Sequence, residues 1–341
     1  MKNWSLPKLL LASIAAALVL FALVANFVFS NNGSDVVEPT ANPSPTLTRD
    51  GDTGKIQVVT STSVWAEITE LLGSDWVEVV AIVPDNQDPH SYQASARDQL
   101  LVSEADLVIA NGGGYDEFLD QMVEAGDADQ IFLRLVEGEH LHHGETETHE
   151  SEDAHDHSDV TNEHIWYDFA ATLDAAEHIV EAIVELRPEA FASVTTGFDF
   201  FTTEMKNLEY RLEALREKSL GLGFVAPEGV ANLMLLNAGF EDMTPTDLAD
   251  AVEEDREVSL AALTQAEELL TNQVAALLIV NVSTTDAVSD RLIAAAEIGG
   301  TAIVRVSETG FIDLGDGSPV QELSYLDWMA WILDQLQEAI Y

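Results

Sequence analysis

The sequence predicts an α/β fold of two lobes, each a parallel sheet flanked by helices, joined by one long rigid connecting helix and preceded by an N-terminal transmembrane helix. Short β-branched apolar runs alternate with amphipathic stretches, which is typical of parallel sheets covered by helices. A mid-chain helical pattern of about thirty residues, roughly 45 Å long at 1.5 Å per residue, is suited to connect two lobes. An apolar run near the N-terminus has the length of a membrane span.

Residues 1–29 are predicted to be a membrane anchor. The apolar run Leu9–Phe29 follows Lys2 and Lys8, and a positive flank stays on the cytoplasmic side of a membrane. A cleavable signal peptide has a shorter apolar stretch that ends at small residues, and no convincing A-x-A pattern ends this run. We therefore expect an uncleaved helix rather than a removed signal. Either way, the remaining chain lies outside the cytoplasm.

The next segment, residues 30–54, is predicted to be a flexible linker. It is rich in Asn, Ser, Asp and Pro, and such a stretch buries too little apolar surface to offset the entropy of ordering it. Its three prolines stiffen part of the tether.

Residues 55–188 are predicted to form the N-terminal lobe. The predicted strands are Ile56–Thr60, Val77–Val83 and Leu107–Ala110, and the predicted helices are Val64–Leu72 and Ala94–Val102. The third strand stops at Asn111-Gly112-Gly113-Gly114, which lacks the spacing and the lysine of a phosphate-binding loop. We interpret these glycines as a tight turn.

Residues 189–219 are predicted to be the connecting helix. A long helical pattern begins near Ala170 and is divided by Pro188, because proline is tolerated in the first turn of a helix but not in its interior. Apolar residues in the second part follow one another at intervals of three and four, which predicts one apolar stripe. These residues are Phe191, Val194, Phe198, Phe201, Met205, Leu208, Leu212 and Leu215.

Residues 220–341 are predicted to form the C-terminal lobe, in which the strand–helix alternation resumes. The predicted strands are Ala275–Val282 and Ala302–Val306, and the predicted helices are Leu260–Leu270, Val288–Glu297 and Tyr325–Ile340. No sequence repeat is strong enough to show that one lobe copies the other.

Composition excludes several classes of function. The chain has 14 Lys and Arg against 61 Asp and Glu, a formal net charge of −47, so a general basic surface for nucleic acid is absent. It has no cysteine, which excludes disulfides, thiolate nucleophiles and cysteine-ligated metal sites. The acidity is compatible with life in high salt, with simple solvation or with attraction of cations.

A histidine-rich acidic loop, residues 138–159, is the most conspicuous polar segment. Imidazoles suit zinc, copper and nickel, and the carboxylates make the local field attractive to divalent cations. Because the segment has no apolar periodicity, we expect a mobile loop that collects metal weakly as an accessory site. Its six histidines are His140, His142, His143, His149, His155 and His157.

Two further histidines are candidates for a defined site. His90 follows the strand that ends at Pro84, a loop position at which α/β sheets present ligand groups, and His164 precedes the long helical pattern. A lone histidine is more often structural than a ligand, so the residues alone leave both roles open. His178 lies within a predicted helix and is assigned no role.

From Lys55 onward the chain resembles the metal-specific cluster of ABC-importer solute-binding proteins, which take up zinc or manganese. The resemblance rests on D-P-H-S-Y at Asp88–Tyr92, on Ala105–Gly112, on H-I-W-x-D at His164–Asp168, and on Tyr325 with Trp328-Met329. The long connecting helix and a histidine-rich loop before the H-I-W stretch also match. The resemblance implies His90 and His164 as metal ligands.

The resemblance also implies two ligands from the second lobe. The third is a histidine or a glutamate after the first strand of that lobe, and Glu228 occupies this place, since no histidine follows His178. The fourth is a carboxylate after the last strand, for which Glu308 fits best and Asp313 is the runner-up. Two imidazoles and two carboxylates are compatible with zinc and with manganese. Because of the histidine-rich loop, we expect Zn²⁺, with Mn²⁺ as the alternative.

The resemblance implies a monomeric binding protein, not an enzyme, that delivers its ion to an ABC permease and its ATPase. A membrane-anchored zinc-dependent hydrolase is an alternative, although no H-E-x-x-H or other hydrolase signature occurs. A metal buffer or adhesion protein that works without a transporter is a third.

Overall fold

Two parallel sheets form the framework of the residues that the computed structural model describes, which are 54–341 without 86, 88, 127–129, 137–161, 254–255 and 285. The first sheet consists of β1 (Ile56–Thr60), β2 (Val77–Ala81), β3 (Leu107–Gly112) and β4 (Ile131–Val136), in the order β2-β1-β3-β4. The second consists of β5 (Gly223–Val225), β6 (Glu241–Asp242), β7 (Ala275–Asn281) and β8 (Ala302–Val306), in the order β6-β5-β7-β8. Every pairing in both sheets is parallel, which confirms the two α/β lobes.

Helices lie between and after these strands. The N-terminal lobe contains α1 (Ser63–Gly73), α2 (Ala96–Glu104), α3 (Glu117–Glu124) and α4 (Phe169–Leu186). The 29-residue helix α5 (Phe191–Ser219) connects the two sheets. The C-terminal lobe contains α6 (Asn232–Asn237), α7 (Thr246–Glu253), α8 (Leu260–Thr271), α9 (Ala287–Gly299) and α10 (Tyr325–Ile340). A short antiparallel ribbon of β9 (Phe311–Ile312) and β10 (Gln321–Glu322) precedes α10.

Both sheets use their two faces for packing. In the first sheet Val58 joins a core that is shared with the second lobe, and its neighbour Val59 joins a separate outer core. In the second sheet Leu277 likewise joins the shared core, and its neighbour Leu278 joins a separate outer core. Because successive side chains of a strand point to opposite faces, each sheet is covered on both sides. The two sheets have the same strand order, although the sequence shows no repeat.

The core shared by the lobes runs along α5 and α10. Phe201 and Met205 of α5 are fully buried in it, as are Trp328 and Met329 of α10. Helix α10 also contacts both β8 of the C-terminal lobe and α1 of the N-terminal lobe. The lobes are therefore joined by a continuous apolar interior and by one connecting segment.

Several boundaries differ from the sequence prediction by one or two residues, and one residue of the predicted apolar stripe is exposed. Strand β2 ends at Ala81 rather than Val83, where the chain bends before Pro84. Helix α2 begins at Ala96 rather than Ala94, because the Ser95 hydroxyl accepts from the backbone NH of Asp98 while the Asp98 carboxylate accepts from the NH of Ser95. Phe191, placed in the apolar stripe, is 61% exposed at the first position of α5.

The Gly-Gly-Gly segment forms the predicted turn and ends β3. All three glycines have positive φ, and a Cβ on Gly112 would lie 2.2 Å from the carbonyl oxygen of Val136 on the adjacent strand. The Asp116 carboxylate accepts from the backbone NH of Asn111 at 2.6 Å and of Gly112 at 2.9 Å. This turn holds the buried Tyr115 at the carboxyl edge of the first sheet.

Two predicted segments fall outside the described residues: the anchor with most of the linker, and the histidine-rich loop 138–159. Among the helices that the structure describes, none combines the length and the apolar character that a bilayer crossing requires.

Phe201→Ala should destabilise the protein by about 3–5 kcal/mol, because it removes a fully buried ring and leaves a cavity in the core between the lobes. The measurement is urea unfolding followed by fluorescence or circular dichroism. Phe200→Ala, one residue earlier in α5 at a position that is 53% exposed, is the matched control and should cost less than about 1 kcal/mol. Equal losses for the two variants would contradict the shared core.

Candidate metal centre

His164 of the N-terminal lobe is held with one ring nitrogen turned into the lobe interface. Its backbone NH donates to Asn162 Oδ1 at 2.9 Å, and its Nδ1 lies 3.1 Å from the same oxygen. Because a carbonyl oxygen only accepts, Nδ1 carries a hydrogen and the lone pair of the neutral ring is on Nε2. The ring packs edge-on against Trp166, with centroids 5.1 Å apart.

Glu308 of the C-terminal lobe faces that nitrogen. Its Oε2 lies 3.3 Å from His164 Nε2, and both side chains are less than 10% exposed. Among the described residues no hydrogen-bonding group is aligned with the buried Nε2, so this short separation is a contact of charges rather than a formed hydrogen bond. The Tyr115 hydroxyl donates to Glu308 Oε2 at 3.2 Å.

Glu228 is brought beside Glu308 by one amide. Asn281, the last residue of β7, donates through Nδ2 to Glu228 Oε2 at 2.6 Å and to Glu308 Oε1 at 3.1 Å. The Thr284 hydroxyl also contacts the Glu228 carboxylate, at 2.6 Å from each oxygen. Two carboxylates of the C-terminal lobe therefore share a donor at the carboxyl edge of its sheet.

His90 lies at the solvent side of the group. It belongs to a 3-10 turn, Pro89–Ser91, and its side chain is 44% exposed. Its ring packs edge-on against Tyr115, with centroids 4.8 Å apart, and its centroid is 5.9 Å from that of His164. The two histidines thus flank one buried tyrosine.

The charges of the site are strongly coupled. Burial disfavours the charged forms of His164 and Glu308, but their mutual attraction outweighs it. Glu308, followed by Glu163 and Glu228, raises the pKa of the His164 imidazole. His164 and His90 lower the pKa of the Glu308 carboxyl, helped by the Tyr115 hydrogen bond. A cation that enters must therefore displace the proton of the His164 imidazolium, since only neutral imidazole binds a metal.

Burial raises the pKa of the Glu228 carboxyl to about 7, and the charges of Glu308 and Asp286 add to the rise. Hydrogen bonds from Thr284 and Asn281 lower the pKa of Glu228, but by less than burial and the neighbouring charges raise it. Near neutral pH this carboxyl is poised to exchange a proton for a cation.

The structure brings His90, His164 and Glu308 around Tyr115 and joins Glu228 to them through Asn281. Asp313, the runner-up for the fourth position, is exposed and accepts from the backbone NH of Gly315 at 2.9 Å. The six loop histidines lie outside the described residues.

Sequence reasoning missed three side chains of the site. Tyr115 follows the glycine turn, Asn281 ends a strand, and Glu163 directly precedes His164. One donor atom each of His90, Glu163 and His164 lie within 4.8 Å of one another. The positions of Tyr115 and Asn281 at the carboxyl ends of strands were the available signal, because parallel sheets place ligand groups there.

The comparisons with known proteins agree with a metal-binding site. A family model described as ZnuA, zinc-uptake complex component A, periplasmic, matches residues 58–339. A putative metal-binding protein of Treponema pallidum is 24% identical over 167 residues, 48% of this chain and 51% of its own length. The manganese-binding lipoprotein MntA of Halalkalibacterium halodurans is 26% identical over 156 residues, 45% of this chain and 47% of its own. The matches thus span about half the length of these relatives.

The fold has known counterparts. The structure titled periplasmic zinc binding protein TroA from Treponema pallidum superposes with a TM-score of 0.64 at 16% identity, covering 84% of this chain and 99% of the other. At this identity the likeness establishes the two-lobed fold alone.

Glu228→Gln should make the metal-free protein more stable at pH 8 than the unsubstituted protein, with little difference at pH 5. A carboxyl whose pKa is raised by folding stabilises the fold at low pH, and this contribution is lost as pH rises from about 4.5 through about 7. Glutamine does not titrate, so the difference between the two proteins should grow by about 2 kcal/mol over this range.

Urea unfolding in the presence of a chelator measures this difference. Glu181→Gln, which removes an exposed charge from α4, is the control. The same pH dependence of stability in the Glu228→Gln and unsubstituted proteins would contradict the burial of this carboxyl.

Proposed function

The chain belongs to the ZnuA family of periplasmic zinc-uptake components, and on that premise we propose that it captures a divalent transition-metal ion outside the cytoplasm and delivers it to an ABC-type permease. The observation that carries the proposal is the 3.3 Å separation of His164 Nε2 and Glu308 Oε2, both buried and contributed by different lobes. Two ligands at about 2.1 Å from one ion, with an angle close to tetrahedral, are about 3.4 Å apart.

The proposed ligands are His90 and His164 from the N-terminal lobe and Glu228 and Glu308 from the C-terminal lobe. His90 lies in the 3-10 turn Pro89–Ser91, and His164 directly precedes the 3-10 turn Ile165–Tyr167. The side-chain amide of Asn281 donates to both carboxylates. Because the site lies between the lobes, binding an ion draws both lobes onto one centre. The shared core and α5 restrict the motion to a modest tilt, which the permease would sense.

Between the two candidate ions we propose Zn²⁺. Imidazole nitrogens and carboxylate oxygens in a four-ligand set suit zinc, and the histidine-rich loop 138–159 adds a weak accessory collector. Mn²⁺ is the alternative, since carboxylate oxygens suit it and a relative is named for manganese. Competition between the two ions decides the question.

For attachment and partners we propose a monomer anchored by the N-terminal segment 1–29. The relatives named lipoproteins carry a lipid, whereas this chain has no cysteine to take a thioether-linked one. The permease and its ATPase supply the energy for release. We do not propose the hydrolase, because the family is a binding component of metal uptake.

His164→Ala should weaken the tight one-to-one binding of Zn²⁺ and Mn²⁺ by more than about 100-fold, because even the loss of a hydrogen-bond partner of a ligand costs about 10–100-fold. Competitive titration of residues 55–341 without 138–159 measures the affinity. His178→Ala, an exposed histidine on α4, is the matched control and should bind as the parent does. Retained tight binding in His164→Ala would overturn the site.

Deleting residues 138–159 should remove additional weak equivalents of zinc and leave one tight equivalent, because the loop and the centre contribute different donors. Metal analysis after dialysis, with and without the loop, counts these equivalents. Loss of the tight equivalent on deletion would place the main site in the loop.

A further inference from the structure

We propose that Glu163 is a fifth metal donor and that it adapts the centre to ions with more than four ligands, such as Mn²⁺. The inference rests on the proposed function, since it adds a ligand to the same site. Glu163 is supplied by the N-terminal lobe, directly before His164.

The carboxylate of Glu163 lies between the two imidazoles. Its Oε1 is 3.8 Å from His90 Nε2. It is 4.0 Å from His164 Nδ1, the nitrogen that carries the hydrogen, rather than from the Nε2 that faces Glu308, so Glu163 joins the site through its separation from His90. The side chain is 14% exposed, between His90 at 44% and His164 at 8%. Exposure thus falls from the solvent side inward, and Glu163 occupies the intermediate position.

The separation of Glu163 from His90, like that of His164 from Glu308, fits two ligands of one ion. With metal–ligand distances of about 2.1 Å, two ligands of a common ion are at most about 4.2 Å apart. The 3.8 Å between His90 Nε2 and Glu163 Oε1 then corresponds to an angle of about 130° at the metal. The 3.3 Å between His164 Nε2 and Glu308 Oε2 corresponds to about 104°. Both angles fit an irregular five-ligand shell better than a regular octahedron, whose neighbouring ligands are about 90° apart.

The backbone fixes Glu163 in this position. Its carbonyl oxygen accepts from Asn111 Nδ2 at 2.9 Å, and Asn111 Oδ1 accepts from the buried indole of Trp65 at 3.1 Å. A Cβ added to Gly113 would lie 3.4 Å from Glu163 Cβ, so the glycine turn packs against the stem of the side chain. The carboxylate is therefore presented by the end of β3 rather than by a free loop.

The chemical consequence concerns selectivity. Zinc completes a four-ligand shell with two imidazoles and two carboxylates, whereas manganese prefers more ligands and more oxygen. A third carboxylate adds oxygen and negative charge at the mouth of the site. With Glu163 the N-terminal lobe alone offers three donors, which suffices to hold an ion before the C-terminal carboxylates join.

Glu163→Gln should weaken Mn²⁺ binding by about 10-fold or more and Zn²⁺ binding by less than about 3-fold, because only the larger shell needs the fifth donor. The background is the full chain with the six loop histidines replaced by Gln, titrated with each ion against a chelating indicator. Glu177→Gln, which removes an exposed charge from α4, is the matched control and should change neither affinity. Glu308→Gln tests the proposed centre itself.

The outcomes separate the two proposals. If Glu163→Gln binds both ions as the parent does while Glu308→Gln loses them, the fifth donor is wrong and the proposed function stands. If neither variant loses affinity, the centre and the fifth donor both fail. If Glu163→Gln lost affinity for Zn²⁺ and Mn²⁺ to the same extent, the proposed role of Glu163 in selecting between the ions would be wrong. Thermal unfolding checks that each variant is folded. If Glu163→Gln does not fold, Glu163→Asp, which withdraws the carboxylate by one methylene, takes its place and should likewise weaken Mn²⁺ binding more than Zn²⁺ binding.

Discussion

The lobe interface depends on one buried pair of opposite charges, the imidazole of His164 and the carboxylate of Glu308, 3.3 Å apart. An isolated buried charge costs several kcal/mol, so neither side chain keeps its charge at this depth without the other or without a cation between them. The pair therefore requires both lobes to meet in one register. It also defines the exchange on which metal capture depends, in which a divalent ion takes the place of a proton.

Three tyrosines hold the lobes in that register. Tyr115 and Tyr167 of the N-terminal lobe donate to Glu308 Oε2 and to the carbonyl oxygen of Ser307, and Tyr325 of the C-terminal lobe donates back to the carbonyl oxygen of Trp166. Because these hydrogen bonds run in both directions beside the site, the ligand spacing is set by the folded frame. Such a frame favours small adjustments on binding over a wide closure, consistent with a core that continues through both lobes.

The sequence predicted the fold well because hydrophobic periodicity reports local structure. The strand Ala302–Val306 and the helix Tyr325–Ile340 have the predicted bounds. Strand β4 was missed because it is partly exposed, and β5 and β6 because runs of three and two residues are too short to show a period. Of the proposed site, the motif histidines and the two carboxylates were predicted from the family resemblance. The partnership of Tyr115 with Glu308 spans 193 residues of sequence and arises only when the lobes meet.

Metal-soaked crystals measured at the absorption edges of zinc and manganese test the central claim most directly. We predict one strong anomalous peak between the lobes, within about 2.0–2.3 Å of His164 Nε2 and a Glu308 oxygen, with further donors completing the shell. A tightly bound ion seated on other residues, with the His164–Glu308 pair still closed at its present separation, would contradict the account.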